Sequence, residues 1–228
     1  MAGSDRRASD VKRVWIMVSE TPEDAIVSRP EAQGCVFGVD EAGRGPLAGP
    51  VVAAAVVLGD AYPKGLDDSK KLTAKRRAVL DEDIRKTCGW GVGVVDVEEI
   101  DTLNILGATM RAMSLAVQGL AAKLGGDPDM VLIDGNLTPH GRCDLWQWEA
   151  QAIIGGDGIE PAISAASIVA KEWRDRIMTE AAQDYPEYGW LSNKGYGTAQ
   201  HLEALRLHGP TPLHRRSFAP VAQQELFR

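Results

Sequence analysis

The residues most able to do chemistry stand at the end of a short apolar segment. Asp40 and Glu41 directly follow the run Cys35–Val39, and three glycines and two prolines occur in the next nine residues. Acidic side chains at a strand end commonly hold a hard cation, because Mg²⁺ and Mn²⁺ prefer oxygen ligands. Glycine has no Cβ, so backbone N–H groups in such a segment can approach a ligand closely. The acidic pair alone would suit a solvated turn, but the composition of residues 40–51 favours a binding site.

Two more acidic residues stand at the ends of apolar segments further along the chain. Asp134 closes a run of four apolar residues, and Asp157 follows a run of three after two glycines. Asp175 is a rival to Asp157, although it can instead pair with Lys171 four residues earlier on a helix face. The residues alone leave both possibilities open, and we expect Asp157 to complete the set.

The adjacency of Asp40 and Glu41 constrains the backbone between them. Neighbouring residues on a regular strand point to opposite faces, so both can reach one site only if the strand ends or bends. Gly43 permits such a bend. Four carboxylates that converge without a cation repel one another, so the metal-free site should be strained or partly protonated.

The surrounding sequence predicts the elements that would position these acids. Strands are predicted over residues 35–41, 50–58, 90–97, 130–134 and 151–155. The first two bracket the glycine-rich segment and should pair antiparallel, whereas the last two alternate with helices, a pattern typical of parallel pairing. Thr73 is predicted to cap a helix that ends near Lys86. The residues expected on its inner side are Val79, Leu80 and Ile84.

Apolar residues spaced by alternating steps of three and four predict a long amphipathic helix. They are Leu103, Leu106, Met110, Met113, Val117, Leu120 and Leu124. The flanking positions lack the paired charges of a coiled coil, so we expect this helix to face the core. Further helices are predicted from Ser164 and around residues 200–208, which makes the chain an α/β protein.

Length and composition suit one large domain with extensions. The chain has 228 residues, of which 44% are hydrophobic and 25% are charged, enough to build a core. We expect an N-terminal extension at 1–33, partly flexible, a main domain at 34–218 and a tail at 219–228. The longest strongly apolar run, Val51–Leu58, is too short to span a bilayer, so no membrane partner is expected. Three scattered cysteines favour reduced thiols and a cytoplasmic location.

The formal net charge of −7 argues at first against a nucleic-acid partner, because phosphate binding generally needs a basic face. Bound cations would neutralise the acids gathered at a metal site, which weakens that objection. Basic residues also cluster between residues 70 and 77 and again between 206 and 216. A nucleic-acid partner is therefore permitted.

Seven segments, in the same order along the chain, resemble the motifs of the ribonuclease HII (type 2 ribonuclease H) family. They are residues 40–51, 67–72, 100–105, 133–136, 156–171, 194–198 and 214–218. Together they span roughly residues 34–218, and the main domain would be the catalytic one. Each motif alone is weak, but seven in order are specific.

The resemblance implies a ribonuclease H-like fold, a mixed β-sheet flanked by helices, with additional C-terminal helices. It implies a monomeric, metal-dependent endonuclease that hydrolyses RNA in RNA–DNA hybrids. It also implies incision 5′ of ribonucleotides embedded in duplex DNA, leaving 3′-hydroxyl and 5′-phosphate ends. Two Mg²⁺ or Mn²⁺ ions would serve this chemistry, with Asp40 as the bridging ligand. The residues that would hold the ions and act in catalysis are Asp40, Glu41, Asp134 and Asp157.

The resemblance also carries substrate contacts to this chain. In the family, the backbone of a Gly-Arg-Gly segment grips the 2′-hydroxyl that distinguishes RNA from DNA, and a tyrosine packs on the sugar at the RNA–DNA junction. The matching residues are Gly43, Arg44, Gly45 and Tyr196. Ser167 and Lys171 are the expected phosphate contacts. Gly155 replaces a lysine frequent in the family, so this chain departs from it in a phosphate contact and not in a metal ligand.

Two alternative functions are a type 3 ribonuclease H and a non-catalytic module that recognises hybrids. A type 3 ribonuclease H shares the core, but usually has a larger N-terminal substrate-binding domain and a glutamate as the fourth acid. A non-catalytic module that only recognises hybrids should lack one of the metal carboxylates, and this chain has all four.

The C-terminal residues Gln223–Phe227 resemble the short peptides through which bacterial proteins bind the replication sliding clamp. Leu226 and Phe227 would fill an apolar pocket while Gln223 forms hydrogen bonds at its edge. Because so few residues must also be ordered on binding, the affinity should be modest.

Overall fold

The site is built on a five-stranded mixed sheet. The computed structural model describes residues 34–226, so the prediction for residues 1–33 lies outside the described part. The strands are β1 (Val36–Ala42), β2 (Val51–Val57), β3 (Gly89–Val95), β4 (Met130–Asp134) and β5 (Ala150–Ile153). Their order in the sheet is β3-β2-β1-β4-β5. β1 pairs antiparallel with β2 and parallel with β4, and β4 pairs parallel with β5, which confirms the predicted pairing.

Six α-helices are described between residues 34 and 226. They are α1 (Ala74–Thr87), α2 (Val97–Leu124), α3 (Pro161–Asp184), α4 (Trp190–Asn193), α5 (Ala199–His208) and α6 (Ala219–Leu226). The sheet with helices on it and the C-terminal helices confirm the predicted fold class. α6 lies in the segment assigned to the tail, and its Val221 is fully buried in a C-terminal core cluster.

Helices cover both faces of the sheet. On one face, alternate strand residues such as Phe37 and Val39 pack with the apolar side of α2. On the other face, Ala54 and Val56 pack with α1 and α3. Helix α3 approaches β1 so closely that a Cβ on Gly38 would lie 2.2 Å from the carbonyl carbon of Ala162. A side chain there would force the helix away from the strand that carries Asp40.

Helix α1 has the predicted N-terminal cap but a narrower buried face than predicted. Thr73 caps α1, since its hydroxyl accepts the Arg76 N–H at 3.3 Å, as predicted. Val79 is 45% exposed, so its predicted inward orientation is wrong, whereas Leu80 and Ile84 are fully buried. Val79 precedes Leu80 by 100° around the helix, and α1 packs along a narrower stripe than the sequence pattern suggested.

Helix α2 begins earlier than predicted and changes direction at Asn104. Asp96 caps it by accepting the Glu99 N–H at 2.9 Å. Asn104 has φ 60° and ψ 169°, outside the helical region. Its side-chain oxygen accepts the N–H groups of Leu106 and Gly107, so it caps the second part of the helix.

A C-terminal core cluster joins α4 and α5 to the segment that follows them. Its aromatic residues Tyr188 and Trp190 surround two buried histidines, His201 and His214, whose Nε2 atoms are 3.0 Å apart. Burial lowers the pKa of His214 to about 3, and the adjacent His201 adds to the effect. Burial also lowers the pKa of His201. Both rings are therefore neutral at pH 7.

We predict that this pair makes the fold sensitive to acid. A histidine whose pKa is lowered by folding binds protons more readily when unfolded, so the free energy of unfolding rises with pH. The stabilisation is complete above the unfolded pKa of about 6.5 and is lost as pH falls towards the folded value. The loss from His214 alone should be about 2 kcal/mol between pH 7 and pH 5. His214→Asn should therefore lose less stability than the wild type over that range, measured by urea unfolding.

The exposed His140 provides a control, because His140→Asn should follow the wild-type pH dependence. If His214→Asn loses as much stability as the wild type between pH 7 and pH 5, the neutral pair is not the cause.

Candidate active site

Three carboxylates meet at one edge of the sheet. Asp40 lies near the end of β1, Asp134 is the last residue of β4, and Asp157 lies in a 3₁₀ turn after β5. The parallel register pairs Val39 with Ile133, which places Asp40 and Asp134 side by side. One oxygen atom from each of the three lies within 4.8 Å of the others. The backbone N–H of Asp157 also donates to Asp134 Oδ1 at 3.3 Å.

The carboxylates disfavour one another's charge. Asp40 is 4% exposed, and its pKa is raised well above the usual value by burial and then by the charges of Glu41 and Asp134. Burial and the charges of Asp134 and Asp68 raise the pKa of Asp157, against the opposing effect of Lys70. Burial and mutual repulsion therefore both disfavour the charged forms of Asp40 and Asp157, the direction expected for converging acids.

The hydroxyl of Ser167, which is itself hydrogen-bonded to Ser69, lies against Asp40. The buried Ser167 hydroxyl on α3 lies 2.8 Å from the hydroxyl of Ser69. A hydrogen bond from Ser167 favours the charged form of Asp40 and opposes the rise of its pKa. Ser167 was predicted to contact phosphate, and the structure places it beneath Asp40.

Glu41 lies beside the three-aspartate cluster. β1 keeps its regular register with β2 through Ala42, without the end or bend expected between Asp40 and Glu41. Glu41 Oε1 lies 3.2 Å from Nη1 of Arg44. Burial raises the pKa of Glu41, Arg44 lowers it, and the charge of Asp134 raises it further. Glu41 is thus close enough to Asp134 to sense its charge. Its role as a fourth ligand stays a prediction.

The structure separates the two candidates for the fourth acid. Asp157 joins the cluster, whereas Asp175 accepts two hydrogen bonds from Lys171 Nζ, at 2.6 and 2.8 Å. Asp175 also lies 3.8 Å from Arg77 Nη2. The alternative helix-face pairing of Asp175 is the one observed, and it occupies the amine of Lys171.

Two buried arginines hold the glycine-rich loop, residues 43–50. Arg215 donates to the carbonyl oxygens of Gly43, Arg44, Gly49 and Pro50. Arg174 donates to those of Ala48, Pro50 and Lys194. Gly43 has φ 98°, and a Cβ on it would lie 2.1 Å from Nε of Arg174. Glycine is therefore required at position 43 by both backbone conformation and space.

Tyr196 stands next to this loop. It is 46% exposed, and a Cβ on Gly45 would lie 3.6 Å from Cε1 of its ring. The N–H of Leu47 donates to the carbonyl of Gly195 at 2.8 Å, which joins the two segments. The structure thus brings the predicted Gly-Arg-Gly segment and the predicted tyrosine together.

Sequence analysis missed three residues of the site. Lys70 Nζ lies 4.0 Å from Asp157 Oδ2, with its side chain 77% exposed. Its position in residues 67–72, a segment that resembles a family motif, was the available signal. Arg215 was counted only within the basic cluster of residues 206–216 and Arg174 was given no role, yet they are 0% and 1% exposed. No local signal reveals their carbonyl partners, which lie up to 172 residues away.

The donor set suits a hard divalent cation. Three carboxylates with oxygens within 4.8 Å provide concentrated negative charge and oxygen ligands, the combination that Mg²⁺ and Mn²⁺ prefer. A bound cation would also relieve the repulsion that raises the pKa of Asp40.

Comparisons with known proteins agree with this geometry. The family model described as Ribonuclease HII matches residues 37–221. Ribonuclease HII of Novosphingobium aromaticivorans is 68% identical over 192 residues, covering 83% of this chain and 98% of that protein. The structure of the PCNA:RNase HII complex from Archaeoglobus fulgidus matches with a TM-score of 0.65 at 27% identity, covering 79% of this chain and 93% of that one. Bst-RNase HIII in complex with Mn²⁺ matches with a TM-score of 0.66 at 19% identity, covering 99% and 82% respectively, a likeness of fold alone.

We predict that Asp134→Asn separates metal binding from folding. The amide keeps the side-chain shape but removes one charge that repels Asp40, so the metal-free thermal midpoint should stay level or rise. Added Mg²⁺ or Mn²⁺ should raise the midpoint of the wild type, because a ligand that binds only the folded state stabilises it. The variant should show little of this increase in a thermal scan across cation concentrations.

Asp60→Asn is the matched control, since Asp60 is exposed and lies outside the cluster. It should keep the wild-type response to the cation. An Asp134→Asn protein that is stabilised by cation as strongly as the wild type would remove Asp134 from the metal site.

Proposed function

The chain belongs to the ribonuclease HII family, and we propose that it incises duplex DNA on the 5′ side of an embedded ribonucleotide, leaving 3′-hydroxyl and 5′-phosphate ends. The family assignment establishes a divalent-metal-dependent endonuclease that hydrolyses the RNA of RNA–DNA hybrids. It also decides against the type 3 alternative. The site keeps the aspartates that a silent hybrid-binding module should have lost.

The observation that carries the proposal is the continuity of the acid cluster with the recognition segment. Asp40 and Glu41 lead directly into Gly43–Gly45 within six residues, and Tyr196 lies against Gly45. A ribonucleotide whose 2′-hydroxyl is held at this loop would therefore have its own phosphates beside the carboxylates. The 2′-hydroxyl is the group that lets a protein distinguish RNA from DNA at one position.

The residues of this chain have distinct tasks in the proposed reaction. Asp40, Asp134, Asp157 and Glu41 would hold two Mg²⁺ or Mn²⁺ ions, with Asp40 the shared ligand because it is the most buried. When bound, such ions supply an activated water and neutralise charge on the phosphoryl and leaving oxygens.

Substrate residues would position the strand for that chemistry. The backbone N–H groups of Gly43–Gly45 would face the 2′-hydroxyl, and the exposed ring of Tyr196 would stack on the sugar at the junction. Lys171 would have to exchange its contact with Asp175 for a phosphate. Lys70, exposed beside Asp157, offers a cation near the position where the family lysine is replaced by Gly155.

Cleavage of a duplex with one embedded ribonucleotide, mapped to the nucleotide, tests the proposal. We predict a single cut 5′ of the ribonucleotide that requires Mg²⁺ or Mn²⁺, and no cut by Asp40→Asn.

Tyr196→Ala should reduce the binding free energy available to the substrate by roughly 1–3 kcal/mol, the value of stacking on an aromatic platform. The loss should be greatest on this substrate, because one junction supplies all the discrimination.

The outcomes on a long RNA–DNA hybrid provide the comparison. Equal losses for Tyr196→Ala on both substrates would make the tyrosine a general structural residue. A cut on the 3′ side of the ribonucleotide, or metal-independent cleavage, would contradict the proposed reaction.

We also propose that Gln223–Phe227 binds a replication sliding clamp. The support is the motif itself, together with the complex of the similar Archaeoglobus fulgidus protein with PCNA. Residues 223–226 continue helix α6 in this structure, and Phe227 lies outside the described residues. Val221 is buried in the C-terminal core and lies two residues before the motif. Deleting residues 223–228 therefore leaves the core contact in place.

We predict that this deletion abolishes clamp binding and leaves cleavage of a short duplex unchanged. Binding to the purified clamp can be followed by surface plasmon resonance, with Gln224→Ala as a control expected to retain binding. If the truncated protein loses thermal stability or basal activity, the segment belongs to the folded core and the clamp proposal fails.

A further inference from the structure

We propose that the dipeptide His214–Arg215 sets the distance between the two substrate-recognition segments. Arg215 holds the glycine-rich loop directly, and His214 holds Tyr196 through His201. This inference rests on the proposed roles of Gly43–Gly45 and Tyr196, and it makes His201, His214 and Arg215 positioning residues for discrimination of the ribonucleotide.

The arginine arm ends on the loop that should grip the 2′-hydroxyl. The guanidinium of Arg215 donates to the carbonyls of Gly43 and Arg44, the latter at 3.0 Å. The Gly43 carbonyl shares a peptide unit with the Arg44 N–H, and the Arg44 carbonyl shares one with the Gly45 N–H. Fixing the carbonyl side of each rigid peptide plane also fixes the direction of its N–H.

The hydrogen bonds between His214, His201 and Tyr196 determine which ring nitrogen of each histidine carries the proton. His214 Nδ1 accepts the N–H of Thr211 at 2.9 Å, so the proton of this neutral ring is on Nε2. His214 Nε2–H then donates to His201 Nε2 at 3.0 Å, which also accepts the indole N–H of Trp190 at 3.2 Å. His201 consequently carries its proton on Nδ1 and donates to the carbonyl of Tyr196 at 2.9 Å.

This last hydrogen bond acts where the chain is otherwise adaptable. Tyr196 lies between Gly195, with φ 86°, and Gly197. Its carbonyl accepts from Thr198 N–H and from His201, so the imidazole adds a tie from α5 to a peptide in a glycine-flanked turn.

Backbone contacts join the segment that carries His214 and Arg215 to the glycine-rich loop. Ala48 and His214 form a β-bridge. Arg215 N–H donates to Leu47 O at 2.9 Å, and Gly49 N–H donates to Leu213 O at 2.8 Å. The segment that carries His214 and Arg215 is thus paired with the glycine-rich loop along its length, and a shift in either recognition segment would strain the other.

A double-mutant cycle with Tyr196 tests this inference. His201→Leu removes the donor, His201→Asn retains an N–H near the position of Nδ1, and each is combined with Tyr196→Ala. We expect His201→Leu to reduce kcat/KM on a single embedded ribonucleotide by about tenfold, since small misplacements of a positioning group are costly. The loss on a long hybrid should be smaller, and His201→Asn should recover much of the activity. In the Tyr196→Ala background, His201→Leu should have an effect within about twofold, because coupled residues are not additive.

His208→Leu is the control, because His208 is an exposed histidine on the same helix, and it should match the wild type on both substrates. If His201→Leu does not fold, His214→Asn replaces it, since that change keeps an acceptor for Thr211 and removes the donor to His201.

Three results would overturn the inference. One is a His201→Leu defect that persists in full when Tyr196 is already alanine. Another is an equal defect on both substrates, which marks a general loss of structure. If Tyr196→Ala itself has no preferential effect on the single ribonucleotide, the proposed role of Tyr196 fails first and the positioning role fails with it.

Discussion

The mutual repulsion of carboxylates is the constraint on which the rest of this structure depends. Asp40, Asp134 and Asp157 have oxygens within 4.8 Å of one another, and burial of Asp40 makes their charges still less favourable. Such a cluster forms because the backbone of the folded chain places the three carboxylates together. The register of β1 with β4 fixes two of the acids, and Gly38 lets α3 lie against β1 beneath them. The free energy stored in this arrangement is available to a cation, whose binding removes the repulsion.

A second constraint concerns substrate recognition, because the glycine-rich loop is held in place by two buried guanidinium groups. Arg174 and Arg215 are buried, and their side chains donate hydrogen bonds to backbone carbonyls of the glycine-rich loop. Burying a charge is costly unless it is well bonded. These contacts hold the carbonyl groups of residues 43–50 in fixed positions. The acidic cluster supplies chemistry, and the two arginines supply the rigid loop that decides where it acts.

Much of this organisation could be predicted because its signals are local. Acids at strand ends, the Thr73 cap and the alternation of strands and helices were all visible in the sequence. Val79 was misplaced because a periodic pattern does not reveal how wide a face is buried. The roles of Arg215 and His214 could not be predicted, since their partners are brought together only by the complete fold. The same holds for Ser167, whose partner Ser69 is 98 residues away.

Anomalous diffraction tests the metal site and the recognition loop together, with crystals of the wild-type protein, Mn²⁺ and a duplex in which a non-hydrolysable linkage stands immediately 5′ of the single ribonucleotide. We expect two manganese peaks bound by Asp40, Asp134, Asp157 and Glu41, with Asp40 shared, and the 2′-hydroxyl at the backbone of Gly43–Gly45. Manganese bound elsewhere with this cluster empty, or a ribonucleotide away from the glycine-rich loop, would contradict it.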